Sequence, residues 1–193
     1  MYSHIQRFFA KFPKIELGDI TLRDLMLSDK GGYFDMMSHP EGVQYLSDED
    51  IPQSVEDAES EIKYWGGLFY KRHSIFWAIA DSDDKFIGTI GYNNWNFHNK
   101  RAEISYDLMH THWRKGIMTK VLRNVIIFSF KTMDLNRIEA RTMEGNIASQ
   151  KLLEKVGFKY EGTQRGYRII RGKPENIRLY SVLKQDYATF LND

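Results

Sequence analysis

Apolar residues along this chain change period several times, and each change marks an element. Ile5, Phe8, Phe9 and Phe12 fall at i, i+3, i+4 and i+7 with Arg7 and Lys11 between them, which predicts a short helix with one apolar face over residues 1–13. After Pro13 the pattern turns extended, with Ile15, Leu17, Ile20, Leu22, Leu25 and Leu27 partly alternating around Gly18-Asp19, as in a first strand broken by a turn or bulge. Tyr33, Phe34, Met36 and Met37, then Val43, Tyr45 and Leu46, suit short helical pieces punctuated by Gly31-Gly32 and His39-Pro40. Ser54-Val55-Glu56-Asp57 has the form of a capping box with Asp in place of Glu, and Val55, Ala58, Ile62, Trp65 and Phe69 carry a helix onward from it. Ile75 to Ala80, Lys85 to Trp95 and Arg101 to Met109 then read as three strands of an antiparallel meander, the first pair joined by Asp81-Ser82-Asp83-Asp84.

From Ile117 the helical period returns through Val121, Leu122, Val125, Ile126 and Phe130 to about Lys131, and alternation resumes from Arg137 to Met143. A helix over Asn146 to Val156, stopped by Gly157, leads to a strand at Phe158. Tyr167 to Arg171 and Ile177 to Leu183 read as a hairpin around Gly172-Lys173-Pro174. Strands and helices interleave without an internal repeat, which is an α/β (α+β) pattern, and 193 residues suit one well-cored domain. The expected organisation is an N-terminal amphipathic helix over residues 1–13 followed by a single domain over 14–193. That helix is short for an interfacial membrane anchor, and its apolar face is expected to pack on its own domain or on a second subunit, so a homodimer stays open.

Charge and composition narrow the partners. Lys plus Arg number 27 against 26 for Asp plus Glu, so there is no basic field to recruit nucleic acid or an anionic membrane. Without a cysteine the chain has no disulfide framework, thiolate nucleophile or Cys-ligated zinc, and a cytoplasmic location is expected. No apolar run approaches the roughly 20 residues that span a bilayer. The stretch from Gly31 to Ile62 carries Asp35, Glu41, Asp48, Glu49, Asp50, Glu56, Asp57, Glu59 and Glu61 without a Lys or Arg, which suggests either a surface that draws a cationic molecule or a solvated acidic face.

Two patches carry candidate chemistry. Trp113-Arg114-Lys115-Gly116-Ile117-Met118-Thr119 follows a strand ending Leu108-Met109-His110 and opens a helix. Gly116 has no side chain to block the approach of backbone to a phosphate, and the helix start adds partial positive charge. The second patch, Asn146 to Phe158, holds Asn146, Ser149, Leu152, Lys155, Gly157 and Phe158 at fixed spacing. Together they resemble the acyl-CoA site of the GCN5-related N-acetyltransferase (GNAT) superfamily. The superfamily loop, Gln/Arg-x-x-Gly-x-Gly/Ala, is met here only at Gly116. In the branch of the ribosomal-protein N-terminal acetyltransferases the loop runs Trp-Gly-Lys-Gly-Tyr-Ala-Thr, of which Trp113, Lys115, Gly116 and Thr119 are kept. That branch also carries Asn-x-x-Ser-x-x-Leu-x-x-Lys-x-Gly-Phe. Met118 is bulkier than the usual residue.

The resemblance implies a mixed, mostly antiparallel central sheet with helices on both faces and acetyl-CoA as co-substrate. Main-chain amides of Trp113, Arg114, Lys115, Gly116, Ile117, Met118 and Thr119 would hold the diphosphate, and strand groups near Leu108, Met109 and His110 the pantetheine arm. Asn146 would contact the cofactor or cap its helix. Glu103 corresponds to a general base acting directly or through water; the alternative is a strand charge paired with Arg101 or Lys100. Ser149 would donate to the departing thiol or bond the local backbone. Leu153 stands where polyamine-acetylating cousins carry a tyrosine acid. His110-Thr111-His112 and His98 lack a matching carboxylate pattern, so no metal is expected. The implied acceptor is a primary amine, a basic protein N-terminus or a small amine such as a polyamine or aminoglycoside; a CoA-binding regulatory module without turnover is the alternative of another class.

Overall fold

The fold comes from a computed structural model whose described residues are 6–190, so Ile5 of the expected N-terminal helix lies outside them. It is a mixed α/β structure with eight strands, mostly antiparallel, in the order β1-β2-β3-β4-β5-β6-β8-β7. The chain divides into two compact units, the first made of Met1–Gln44, Ile51–Asn93 and Ser105–Ile117 and the second of Tyr45–Asp50, Asn94–Ile104 and Met118–Asp193.

In the first unit, the expected opening strand is a hairpin, β1 (Ile15–Glu16) and β2 (Thr21–Arg23), turning at Gly18 with φ 75°. β2 pairs antiparallel with β3 (Phe76–Ala80), and β3 with β4 (Phe86–Asn96), with a bulge at Ile79/Ala80. Helices α1 (Lys30–Met37), α2 (Pro40–Val43) and α3 (Val55–Tyr70) belong here. Ser54 caps α3 by accepting from the Asp57 N–H at 3.1 Å, and the Asp57 carboxylate accepts from the Gln53 N–H at 3.1 Å, one residue before the position a regular capping box uses. Ile62 and Phe69 on α3 are buried, as are Leu22, Ile75, Trp77, Ile79, Ile87 and Ile90 on or beside the strands. Residues 6–8 form a turn of helix. Phe8, Phe9 and Phe12 surround Phe69 at ring separations of 5.9, 5.1 and 4.9 Å, so their apolar face is covered by the unit itself.

One close approach shapes the strand end that leads to the glycine loop. A Cβ at Gly88 on β4 would overlap the Asp107 carbonyl oxygen and press on Leu108 Cα at 3.2 Å, so only glycine lets β4 lie this near the end of β5 (Arg101–Leu108).

In the second unit, β5 pairs parallel with β6 (Arg137–Met143) at Arg101↔Arg137, Ala102↔Ile138 and Glu103↔Glu139. β6 pairs antiparallel with β8 (Lys173–Leu183) from Arg137↔Leu183 to Met143↔Ile177, and β7 (Lys159–Ile170) lies outside β8. The expected hairpin is present, and the strand expected at Phe158 and the hairpin arm expected from Tyr167 are one continuous strand, β7. It is an edge strand, mostly exposed and with two register shifts, so it carries little apolar alternation to read. Helices α4 (Ile117–Thr132) and α5 (Ile147–Lys155) complete the unit, with Leu122, Val125, Ile126, Phe130, Ile138 and Val182 in its core. α5 ends at Gly157, whose φ of +96° suits the chain reversal after a helix.

Much of the acidic stretch is engaged within the protein rather than presented as a uniform negative face. Asp48 accepts from Arg171 Nε at 3.1 Å and Asp50 pairs with Arg168, both arginines lying at the β7–β8 hairpin end. Glu59 lies 2.6 Å from the ammonium groups of both Lys30 and Lys63, hydrogen bonds that hold its carboxyl down at about 2, and Glu61 accepts from the Tyr33 hydroxyl at 2.7 Å.

Candidate active site

β5 ends at Leu108, a single 3-10 turn follows at His110–His112, and residues 113–116 lead into α4. Trp113 closes this loop on itself: its indole Nε1 donates to Leu108 O at 2.7 Å and its backbone N–H to His110 O at 3.1 Å. The Met109 N–H donates to Ile87 O at 2.8 Å, and Met109 O accepts from the His112 N–H at 2.9 Å. Of the strand groups expected to meet a pantetheine arm, the carbonyls of Leu108, Met109 and His110 therefore each hold one partner, and a carbonyl's second lone pair is what they have left to offer. His39 stacks on His110 at 3.6 Å and meets Trp113 edge-on at 6.3 Å, bracing the loop from outside.

Arg114 (φ 60°) and Gly116 (φ 79°) are both left-handed. Such an alternation turns successive N–H groups toward one side and makes an anion-binding concavity. The N–H groups of Arg114, Lys115 and Gly116 find no acceptor among the described residues, and the first N–H groups of α4 have none inside the helix. Nothing lies within 4 Å of the position a Gly116 Cβ would take, and the Arg114 and Lys115 side chains are exposed. Open space, unmet donors, a helix start and two cations together fit a diphosphate. Ile117 and Thr119 are half-buried, and Met118 is buried.

Asp107, one residue before Leu108, was not singled out by the sequence, although it lies two alternations after Glu103 on β5 and carries the same functional group. Burial raises its carboxyl to about 6, against a smaller lowering by a hydrogen bond with Thr89. It is within electrostatic reach of Tyr33, whose own hydroxyl is pushed far up by burial and by its bond to Glu61. A carboxyl raised by folding favours the protonated form. Its contribution to stability is complete below the unfolded value near 3.8 and is lost as pH climbs through about 6. Asp107→Asn is expected to remove a fall in stability on the order of 2 kcal/mol between pH 4 and pH 7, read by urea unfolding at each pH. A pH slope unchanged in the mutant would mean that another group sets it.

In the second unit, Glu103 accepts from Asn94 Nδ2 at 3.2 Å and pairs with Arg141, which comes from β6 two residues beyond Glu139. Lys100 and Arg101, the partners expected if Glu103 were an ordinary strand charge, go elsewhere: Lys100 to Asp134 at 2.8 Å and Arg101 to Glu139 at 3.5 Å. Glu139 also accepts from Arg137 Nε at 2.8 Å and lies 3.8 Å from Arg141. Arg141 is the residue that sequence missed here; alternation placed it on a strand but did not say which carboxylate it would face. On α5, Asn146 is the N-cap, its Oδ1 accepting from the Ser149 N–H at 3.1 Å. Ser149 is half-buried, and Leu153 is a core residue.

His112 Nδ1 lies 2.9 Å from the Thr111 hydroxyl, and burial, with Lys115 second, lowers its basicity. Among the described residues no group of His, Asp or Glu is placed to hold a metal ion, and no helix is long and apolar enough to cross a membrane.

A mostly antiparallel sheet whose inner strand carries a carboxylate and runs into a glycine loop at a helix start is an arrangement that suits an acyl-group transferase. Residues 19–159 match the family model for the acetyltransferase (GNAT) domain, and the chain belongs to that family as an N-acetyltransferase. It is similar to the uncharacterized N-acetyltransferase YoaA of Bacillus subtilis (strain 168), 34% identical over 174 residues that cover 90% of this chain and 98% of the relative. The [ribosomal protein uS5]-alanine N-acetyltransferase of Escherichia coli (strain K12) is 31% identical over 125 residues, 62% of this chain and 63% of that protein. In fold, the chain is similar to RimL, the ribosomal L7/L12 alpha-N-protein acetyltransferase in complex with coenzyme A, with a TM-score of 0.80 at 18% identity over 89% of this chain and 98% of that one.

Proposed function

We propose that this protein transfers acetyl from acetyl-CoA to a primary amine, in the manner of the ribosomal-protein alanine/serine N-acetyltransferases. The observation that supports this most is the 113–116 loop, with left-handed Arg114 and Gly116, unmet N–H donors and open space beside the glycine. When bound, acetyl-CoA supplies an activated acyl group and a thiolate that leaves. Main-chain amides from Arg114 to Thr119 hold its diphosphate, the Arg114 and Lys115 side chains add positive charge, and the carbonyls of Leu108, Met109 and His110 face its amide-bearing arm. Asn146 keeps α5 in place through its cap and has its amide N–H groups left for the ligand.

The amine attacks directly, as the chain has no cysteine to carry the acyl group. Glu103 takes a proton from the ammonium, directly or through a water, while Arg141 and Asn94 fix its carboxylate in one orientation. Ser149 donates a hydrogen bond to the departing sulfur. Acetylation and free thiol released in equal amounts, from acetyl-CoA and a panel of N-terminal peptides and small amines, are the expected result. Tight acetyl-CoA binding with no thiol released over the whole panel would leave a binding module instead.

Gly116→Ala tests the loop separately. The space around residue 116 is empty of protein, so a methyl there costs the fold only the strain of its left-handed backbone, on the order of 1 kcal/mol. Acetyl-CoA affinity is expected to fall about tenfold, measured by calorimetry. Unchanged affinity would show that the diphosphate lies elsewhere.

A further inference from the structure

Beside the Glu103 pair the second unit holds a cavity of about 410 Å³, lined by Asn94, Trp95, Asn96, Arg101 and Arg141. Its polar groups are mostly donors. Arg141 Nε is buried with no hydrogen-bond partner, although the same guanidinium engages Glu103 through Nη1. A buried N–H without an acceptor is costly, and an oxygen from a ligand is the simplest thing to meet it. Among the described residues Arg101 is held only by a 3.5 Å pair to Glu139, and its side chain is 41% exposed, so most of its five N–H donors stay available. Asn96 turns its Oδ1 to the Asn99 N–H at 2.8 Å, which leaves its amide N–H₂ as the group to face a ligand. Asn94 already donates to Glu103.

Two guanidinium groups, a carboxamide donor and an indole form a wall for planar or tetrahedral oxyanions, and a poor one for a polycation. We infer that the amine acceptor of this enzyme carries a carboxylate or phosphate, and that Arg101, Arg141 and Asn96 bind that oxyanion in this cavity. The inference rests on the proposed acetyl transfer for its link to catalysis, but the cavity's preference for an oxyanion is a binding property that stands apart from turnover. It also accommodates the pairing at Asp48 and Asp50, which Arg171 and Arg168 already occupy: charge selection lies with the arginines of β5 and β6 instead. Arg141 would then touch the acceptor's oxyanion and Glu103 at once, setting the two in register.

The test uses matched amines on the full chain: O-phosphoethanolamine against ethanolamine, glycine against glycinamide, serine-initiated peptides with acidic or lysine residues next in order, and spermidine. Both kcat/KM and equilibrium binding are measured. At least one anionic member is expected to exceed its matched neutral or cationic partner by about tenfold, chiefly through KM, and the phosphate and carboxylate pairs show which oxyanion is read. Arg101→Gln is expected to bring the ratio near unity. Asn96→Asp guards against a misfolded arginine variant, because the new carboxylate keeps the bond to the Asn99 N–H while replacing the donor with an acceptor; it should reverse the preference. Equal affinities within every matched pair, a preference for spermidine, or a ratio that survives both substitutions would overturn the inference. Anion-selective binding that Arg101→Gln abolishes, without turnover of any amine, would uphold the cavity assignment and count against acetyl transfer alone.

Discussion

Glu103→Gln is expected to lower turnover at neutral pH by roughly a hundredfold or more, with partial recovery as pH rises and the acceptor amine loses its proton unaided. Glutamine keeps the shape and one oxygen for Asn94 and Arg141, but it cannot take a proton. The recovery with pH is the signature that separates a base from a positioning group, because a group that only orients the acceptor loses rate equally across the range. Two controls belong with it. Arg141 loses its counter-charge in this mutant and keeps only Glu139 at 3.8 Å, so thermal unfolding has to show the protein folded. Acetyl-CoA affinity should stay within about twofold of wild type, since Glu103 is assigned no part in holding it. A mutant with full turnover at neutral pH would remove Glu103 from the role and direct attention to Asp107, the other carboxyl on β5, whose raised value near 6 suits proton transfer in the same range.

Trp77→Ala is expected to destabilise the protein by about 3–5 kcal/mol, read as a drop in the urea midpoint at constant slope. Trp77 is fully buried on β3, its ring lies 6.3 Å from that of Phe12, and its Nε1 donates to Pro13 O at 2.7 Å. Truncation opens a large cavity and releases the hook on the N-terminal aromatic segment together. Trp77→Phe separates the two effects, keeping most of the volume while losing the donor, and should cost about 1–2 kcal/mol. A loss below about 1 kcal/mol for the alanine variant would mean that the first unit's core refills the space.

Elements with two faces in unlike surroundings could be read from sequence, and those without could not. α3, α4 and α5 each bury one stripe, and β6 is bounded at Arg137 and Met143 by the alternation itself. β7 was legible only at its two ends, at Phe158 and from Tyr167, because an edge strand exposed along most of its length, with bulges, has no period to join them. The loop from Trp113 to Thr119 was legible because its chemistry is carried by consecutive residues. Arg141, Asp107 and the partners of Asp48 and Asp50 were not, since each acquires its role from a residue far along the chain: Arg141 meets Glu103 only through the register of β5 on β6, and Asp107 owes its raised value to burial that no local pattern announces. Within the acidic run the partners of Asp48 and Asp50 were hidden for the same reason, Arg171 and Arg168 lying more than a hundred positions away.

Gly88 touches no reactant, yet every missense change at its codon adds at least a Cβ that pushes on the Asp107 carbonyl, next to the Leu108 oxygen that anchors Trp113. A mutational screen scored on acetylation would therefore flag residue 88 among its most sensitive sites. The flag would mark a strand that has no room to be rewritten, and library diversity is better placed at Asn94, Asn96 and Arg101.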